Sequence, residues 1–336
     1  MNKWSLENEK MSGYKKKKKK KGIWIFLSIM FIVSVIAGNQ AAALNHKIQD
    51  TLNLMNYDDS GVIAGVESEL ADAAENMEKS NDVINILLVG ADKRSSWTED
   101  GRSDSCMIAT IDKKNEKIKI TSLMRDMYVD IPGYGNHKFN AAYSYGGVEL
   151  LYKTILSNFG ISVQGYAVVD FEAFRKVVNT LGGVEINLTE EEYSILMSRY
   201  HRTSVLKLKP GRNNMNGTQA LAYCRLRQDK NADFGRTERQ RYVLNQIFLS
   251  MKSQPISKWY ETAEAVMPEI STDLSSGTIL GYLKDIIFMG TTDIEQFRIP
   301  VDGSFENDSV NGQDVLKIDV DANRNALHDY IYEKSS

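Results

Sequence analysis

The sequence predicts an α/β fold, an α-β-α sandwich with a central mixed sheet, preceded by a single transmembrane helix. Three observations carry the prediction. From residue 83 onward, short β-rich runs alternate with longer amphipathic ones. Val83 to Val89 and Met107 to Ile111 are apolar runs of the kind buried on both faces, while Lys117 to Leu123 alternates like a half-covered strand. Residues 22 to 44 carry no charge and follow seven consecutive lysines, Lys15 to Lys21.

After these three strands, which a meander would place side by side, Asn140 to Phe159 reads as a helix with Leu150, Leu151, Ile155 and Leu156 on one face. Tyr166 to Val169 is a strand, Phe171 to Leu181 a helix, and Val184 to Leu188 a strand after the Gly182-Gly183 turn. Tyr193 to Lys209 reads as an inserted hairpin or helix over the site. Gly217 to Tyr223 opens another helix, and Arg236 to Met251 forms a long one striped by Val243, Leu244, Ile247 and Phe248. Thr278 to Phe288 is a helix, Gln296 to Pro300 a strand, and Ala322 to Tyr332 a closing helix. There is no internal repeat, so residues 83 to 250 form the core and 251 to 336 complete the same domain.

The apolar segment sets the location. At about 1.5 Å per residue, residues 22 to 44 span roughly 35 Å as a helix, enough for a bilayer core. Ala41-Ala42-Ala43 offers a competing reading as a cleaved signal peptide, but the run is longer than the roughly 7 to 15 residues of such a segment. The lysines place residues 1 to 21 in the cytoplasm and the rest outside, a single-pass type II arrangement. They also suit contact with anionic membrane lipid. Residues 45 to 82, with Val66, Leu70, Ala73 and Met77 at helical spacing, read as an extracytoplasmic stalk or linker.

Charge excludes one class of partner. Residues 1 to 21 hold nine Lys against Glu7 and Glu9, a net of +7, so with -3 for the whole chain the remainder carries -10. An acidic outer domain argues against nucleic acid. Two cysteines rule out a disulfide framework and a cysteine zinc cluster. Cys106 and Cys224 flank the charged blocks, and either a buried pair of thiols or a disulfide fits them.

Those blocks carry the chemistry. Asp92 lies just past the first strand, Asp104 precedes the second and Arg125 ends the third, so a meander sets all three at one sheet edge. Two carboxylates there suit one Mg²⁺ (Mn²⁺ as a substitute), although an aspartate pair in a loop also serves as a turn and cap device. Arg94 and Arg102 stand close by, and Asp126 is placed to orient Arg125 or to form an ordinary surface ion pair with it.

In the second block, Arg225 and Arg227 are two apart and would point the same way on extended backbone. Arg236, Arg239 and Gln240 fall on one face of a helix within its first turn, where bared N–H groups and guanidiniums seat pyrophosphate. A salt-bridged, solvated helix face is the alternative, above all for Arg239 and Arg241. The sequence has no Gly-x-Ser-x-Gly elbow, Walker A loop or His-Glu-x-x-His, and His46, His137, His201 and His328 are scattered.

At these residues the chain resembles the LytR-CpsA-Psr family of cell-wall ligases. The motifs occur in order from residue 83 to 250: Gly-Ala-Asp-Lys-Arg (90 to 94), Gly-Arg-Ser-Asp (101 to 104), Leu-Met-Arg-Asp (123 to 126), Ile-Pro-Gly (131 to 133), Lys-Phe-Asn-Ala-Ala (138 to 142), Gly-Gly (146 to 147), Val-Asp-Phe (169 to 171), Leu-Gly-Gly-Val (181 to 184), Arg-Leu-Arg (225 to 227) and Asp-Phe-Gly-Arg-x-x-Arg-Gln (233 to 240). The resemblance implies transfer of a glycopolymer from undecaprenyl pyrophosphate to a muramic acid hydroxyl of peptidoglycan. It implies Mg²⁺ on Asp92 and Asp104, and pyrophosphate held by Arg94, Arg102, Arg125, Arg225, Arg227, Arg236 and Gln240, beside an apolar groove for the prenyl tail. Leu123-Met124 before Arg125, and Met127 after Asp126, depart from the family's usual Ile-Pro and Thr.

Overall fold

The computed structural model describes residues 46–47, 49–51, 53–70, 80, 82–91, 103–199, 207–227, 232–291 and 293–333. The predicted cytoplasmic head and the membrane segment, residues 22 to 44, lie outside them. Among the described residues no helix is long and apolar enough to cross a membrane. Thr51–Ser336 forms one compact unit, apart from Met1–Asp50.

The three apolar runs become β2 (Val83–Ala91), β3 (Ser103–Asp112) and β4 (Lys117–Leu123), and they pair as the expected antiparallel meander. The sheet is seven-stranded. Beyond β2 lie β7 (Tyr166–Asp170), parallel to it, then β10 (Ile270–Thr272) and β1 (Asn56–Tyr57). β11 (Glu295–Ile299) runs parallel to β4 at the other edge.

Side-chain parity shows what covers each face. Leu87, Val89, Cys106, Ile108 and Leu123 enter one buried cluster with Leu151, Ile155 and Phe159 of α2 (Ala141–Phe159) and Leu327 and Ile331 of α9 (Val320–Tyr332). Alternate residues of β4 face the other way, where Arg241 of α6 (Ala232–Ser253) donates to the Ser122 hydroxyl at 2.9 Å. Helices therefore cover both faces, as predicted.

Lys119, fully buried, ties the first face together. Its ammonium meets Asp112 Oδ2 and Glu333 Oε1 at 3.1 Å each, and donates to the Tyr330 and Ile331 carbonyls at the end of α9. A cation among the orphan carbonyls of a helix C-terminus satisfies groups that would otherwise lose water.

Several expectations are corrected. The segment predicted as a stalk belongs in part to the domain: β1 extends the sheet, and α1 (Val62–Glu69) buries Val66, 1% exposed, in the main core. Residues 71 to 79 are outside the description. Val184–Leu188 forms β8, but it pairs with β9 (Gly211–Met215) in a separate two-stranded sheet instead of joining the central one. The segment after it is a helix, α4 (Glu190–Arg199), whose glutamates at the first turn complement the helix dipole; residues 200 to 206 are outside the description.

The β8–β9 sheet closes a second apolar cluster with α3 (Phe171–Thr180), α4 and α5 (Gly217–Cys224). Cys224 belongs to this cluster and Cys106 to the main one, so the two thiols are buried and free in different cores. Burial raises both thiols, Cys224 to about 12.

Between β4 and α2 the chain makes two strands that the apolar pattern did not announce, β5 (Met127–Ile131) and β6 (Gly135–Lys138). With β12 (Phe305–Val310) and β13 (Gln313–Ile318) they build a four-stranded second sheet, in the order β12-β13-β5-β6. It flanks the sheet edge at which β4 ends.

Candidate active site

One edge of the central sheet collects the predicted chemistry. β2, β4, β7 and β11 all end there, with Ala91 level with Asp170 and Leu123 level with Ile299, and β3 starts there, Ser103 paired with Ala91. Ligands of α/β sheets favour the carboxyl ends of strands. Asp92 directly follows Ala91. The ladder shifts register between Gly90, opposite Ser105, and Ala91, opposite Ser103, so Asp104 is the extra residue of a β-bulge. The backbone thus brings Asp104 to the same edge as Ala91, the residue before Asp92 in the sequence. Asp92, Arg94 and Arg102, and the side chain of Asp104, lie outside the described residues.

Arg125 is held from both sides. Its carbonyl accepts from the Asn140 amide at 3.1 Å, and the Asp126 carbonyl accepts from the Leu316 amide at 2.8 Å, so β5, β13 and the start of α2 fix the turn after β4. The Arg125 guanidinium donates from Nε to Asp126 and from Nη2 to Asp233, each at 3.2 Å. Asp126 also accepts from Lys138 at 2.7 Å. Burial alone would raise the Asp126 carboxyl, but Lys138 and Arg125 outweigh it, and the group stays below the usual carboxylate range. Asp126 is thus an orienting partner of Arg125 within a network, and more than a surface pair.

Asp233 is where the two blocks meet. It bridges Arg125 of the first block to Arg236 of the second, 3.2 Å from Nη1, with Arg227 Nε at 3.8 Å. Three guanidiniums around one carboxylate form a site of net positive charge. Sequence reasoning placed Asp126 beside Arg125 but missed Asp233 and Lys138 as members of the network. The signal was present in Asp233, the acidic residue inside an arginine-rich motif and in the first turn of a helix.

Three second-block expectations change. α6 starts at Ala232, four residues before Arg236, so Arg236, Arg239 and Gln240 lie beyond its first turn, which holds Asp233 instead. Arg225 caps α5 in place of continuing an extended strand, so it parts from Arg227: its guanidinium lies 4.8 Å from the Phe171 ring centroid at the start of α3, while Arg227 faces Asp233. Arg239 is 5% exposed, donates to the Leu226 carbonyl at 3.0 Å and sits 3.4 Å from Glu192, which makes it a fastening between α6, α5 and α4. Gln240 is half-buried on the same helix.

Arg125 and Arg227 open onto a cavity of about 620 Å³ that they line with Asp126, Lys138 and residues of β6, α2 and the β12–β13 turn. A second cavity, about 580 Å³, lies at the opposite sheet edge beside Val83 and Asn85. Among the described residues its lining carries Asp58, Asp59, Glu67 and Asp273 and no Lys or Arg, which makes it hostile to a pyrophosphate. Burial and the nearby Asp58 raise the Asp273 carboxyl, while the Tyr166 hydroxyl lowers Asp58.

A cleft lined by cationic side chains at the carboxyl edge of a mixed sheet, where two sequence-distant arginine blocks meet, defines the class of protein. The chain belongs to the LytR_cpsA_psr family, whose model matches residues 51–329. It is 36% identical over 259 residues to the regulatory protein MsrR of Staphylococcus aureus (strain COL), covering 76% of each chain. It is 30% identical over 262 residues to the polyisoprenyl-teichoic acid–peptidoglycan teichoic acid transferase TagV of Bacillus subtilis (strain 168), covering 76% of this chain and 64% of TagV. Among solved structures it is similar to TagT bound to LI-WTA, with a TM-score of 0.63 and 26% identity over 77% of this chain and 93% of that one. It is also similar to YwtF (TagT) with bound octaprenyl pyrophosphate lipid, with a TM-score of 0.59 and 25% identity over 76% and 94%.

Proposed function

We propose that this protein is a phosphotransferase that moves a glycopolymer from an undecaprenyl pyrophosphate carrier to peptidoglycan, forming a phosphodiester and releasing undecaprenyl phosphate. The observation that carries the reading is the junction at Asp233, which ties Arg125 and Arg227, both lining the cavity, to the buried Arg236. Guanidinium forks match phosphate oxygens, and charge developing on a departing phosphate is stabilised most by cations already in place. The names of TagV, a teichoic acid transferase, and of the TagT structure with a prenyl pyrophosphate support the same chemistry.

In this reading Arg125, Arg225, Arg227 and Arg236 grip the pyrophosphate with Arg94, Arg102 and Gln240. Arg239 supports the helix that presents them. Asp92 and Asp104 would hold Mg²⁺, a hard cation suited to one or two carboxylates and phosphate oxygens, and when bound it would neutralise charge on the pyrophosphate. Membrane anchoring through residues 22 to 44, with the catalytic unit outside, would place the cleft at the leaflet that holds the lipid carrier.

Two other readings share the donor site: a lipid pyrophosphatase that uses water as acceptor, and a regulator that binds the lipid without turnover, which the name of the MsrR relative favours. Incubation with a labelled lipid-pyrophosphate glycan, with and without peptidoglycan, separates them. Lipid monophosphate released only with acceptor supports transfer. Release without acceptor supports hydrolysis, and binding without release leaves the regulator.

A further inference from the structure

The two arginine blocks are fastened by a stretch of chain that belongs to neither. β11 ends at Ile299, whose carbonyl accepts from the Met124 amide at 3.1 Å, next to Arg125 of the first block. The residue before it, Arg298, holds its guanidinium 4.7 Å from the ring centroid of Phe234, which follows Asp233 in the first turn of α6. Phe305, which opens β12, stacks on the same ring at 5.2 Å between centroids and 28° between planes. Residues 298 to 305 therefore hold the chain on both sides of the Asp233 junction, and they lie beyond the motifs, which end at residue 240.

The stretch is itself braced. Asn323 of α9, fully buried, accepts from the Val301 amide at 2.8 Å and donates to the Ser304 hydroxyl at 2.8 Å and the Asp319 carbonyl at 2.7 Å. The Ser304 carbonyl accepts from the Asp319 amide at 2.8 Å. A buried amide with both donors and its acceptor in use holds a loop to one geometry. Arg298 donates to the Pro300 carbonyl and the Asp302 carboxylate, which fixes its guanidinium where it meets Phe234.

Phe234 and Phe305 pack at the rim of the main core, each half-buried. The kind of contact suits the place. A further carboxylate at the start of α6 would compete with an anionic ligand for Arg125, Arg227 and Arg236, whereas stacked rings and a guanidinium over a ring fix that helix without occupying any of the three. Cations held in place beforehand cost no reorganisation when the ligand arrives.

We propose that Arg298, Phe305 and Phe234 are positioning residues: they hold the start of α6 against the turn after β4 and so set the spacing between the guanidiniums of the two blocks. The proposal rests on the reading that this cleft binds a diphosphate. Spacing is decisive for a diphosphate, whose two phosphates engage both blocks, and matters less for a monophosphate, which the guanidiniums of one block can hold.

The test uses the full chain in detergent micelles and two probes, geranylgeranyl pyrophosphate and geranylgeranyl monophosphate, which share a tail and differ by one phosphate. Phe305→Ala and Arg298→Met are expected to weaken the diphosphate about tenfold and the monophosphate less than about threefold. Phe305→Tyr, which keeps the ring, is expected to stay within about twofold of wild type for both. A partly unfolded variant loses apparent affinity for both probes by the same factor, so the ratio of the two affinities separates positioning from a folding defect. A ratio unchanged from wild type in both Phe305→Ala and Arg298→Met overturns the positioning role and leaves the pyrophosphate reading standing. A wild type that binds the diphosphate no more tightly than the monophosphate overturns that reading, and the positioning role with it.

Discussion

Replacing Asp233 with Asn probes the junction between the blocks. The change keeps shape and removes the charge that Arg125 and Arg236 approach at 3.2 Å and Arg227 at 3.8 Å. Arg236 is 2% exposed, so it cannot turn to water for compensation. Breaking a fully buried pair costs about 3 to 5 kcal/mol. Asp233 is 27% exposed and Arg125 keeps Asp126, so solvent screening and the remaining pair reduce this to about 2 kcal/mol.

For a unit of this size that is a fall in Tm of about 4 to 8 °C, read by differential scanning fluorimetry. Saturating geranylgeranyl pyrophosphate supplies an anion to the same guanidiniums, so the gap between wild type and variant is expected to narrow. An unchanged Tm, or a gap that saturating ligand leaves intact, would refute the reasoning that these arginines share one anion site.

Other perturbations follow from the same network. Lys119→Met strands the buried Asp112 carboxylate and should cost about 3 to 5 kcal/mol in urea denaturation; a loss below about 1 kcal/mol would show that the buried pair is weak. The carboxyls of Asp112 and Asp126 are held below their ordinary range, so their contribution is present above that range and lost as pH falls through it, below about pH 4. Tm followed from pH 7 to pH 3 should drop less steeply in Asp126→Asn than in wild type, and parallel curves would exclude Asp126. Cys106 and Cys224 should resist iodoacetamide until the protein is denatured, with no change in mass on reduction; a reducible bridge between them would contradict their separate cores.

The sequence announces elements wherever period and burial agree. Lys117–Leu123 appears with the predicted bounds, but it is buried on both faces and not half-covered: the polar positions of its alternation, Lys119 and Thr121, face the core. β12 escapes because four of its six residues, Glu306 to Ser309, are polar and exposed and its pairing is fixed by the Asn311-Gly312 turn rather than by a core. β5 and β6 are only five and four residues long, too short for a period to show.

In the site, convergence at one edge is legible because a meander fixes the ends of three strands. The division of labour among the arginines is not. Arg225 and Arg227 separate because α5 runs on to Cys224, and Arg239 turns inward because the Leu226 carbonyl at the end of that helix needs a donor. Both depend on where a helix stops, which local pattern specifies poorly.

The central claim is that the two blocks form one pyrophosphate clamp, and a crystal structure with geranylgeranyl pyrophosphate bound tests it most directly. The account predicts the diphosphate among Arg125, Arg227 and Arg236, at the edge where β2 and β4 end. A diphosphate that leaves these guanidiniums untouched, whether in the acidic cavity beside Asp58 and Glu67 or elsewhere on the surface, would contradict it.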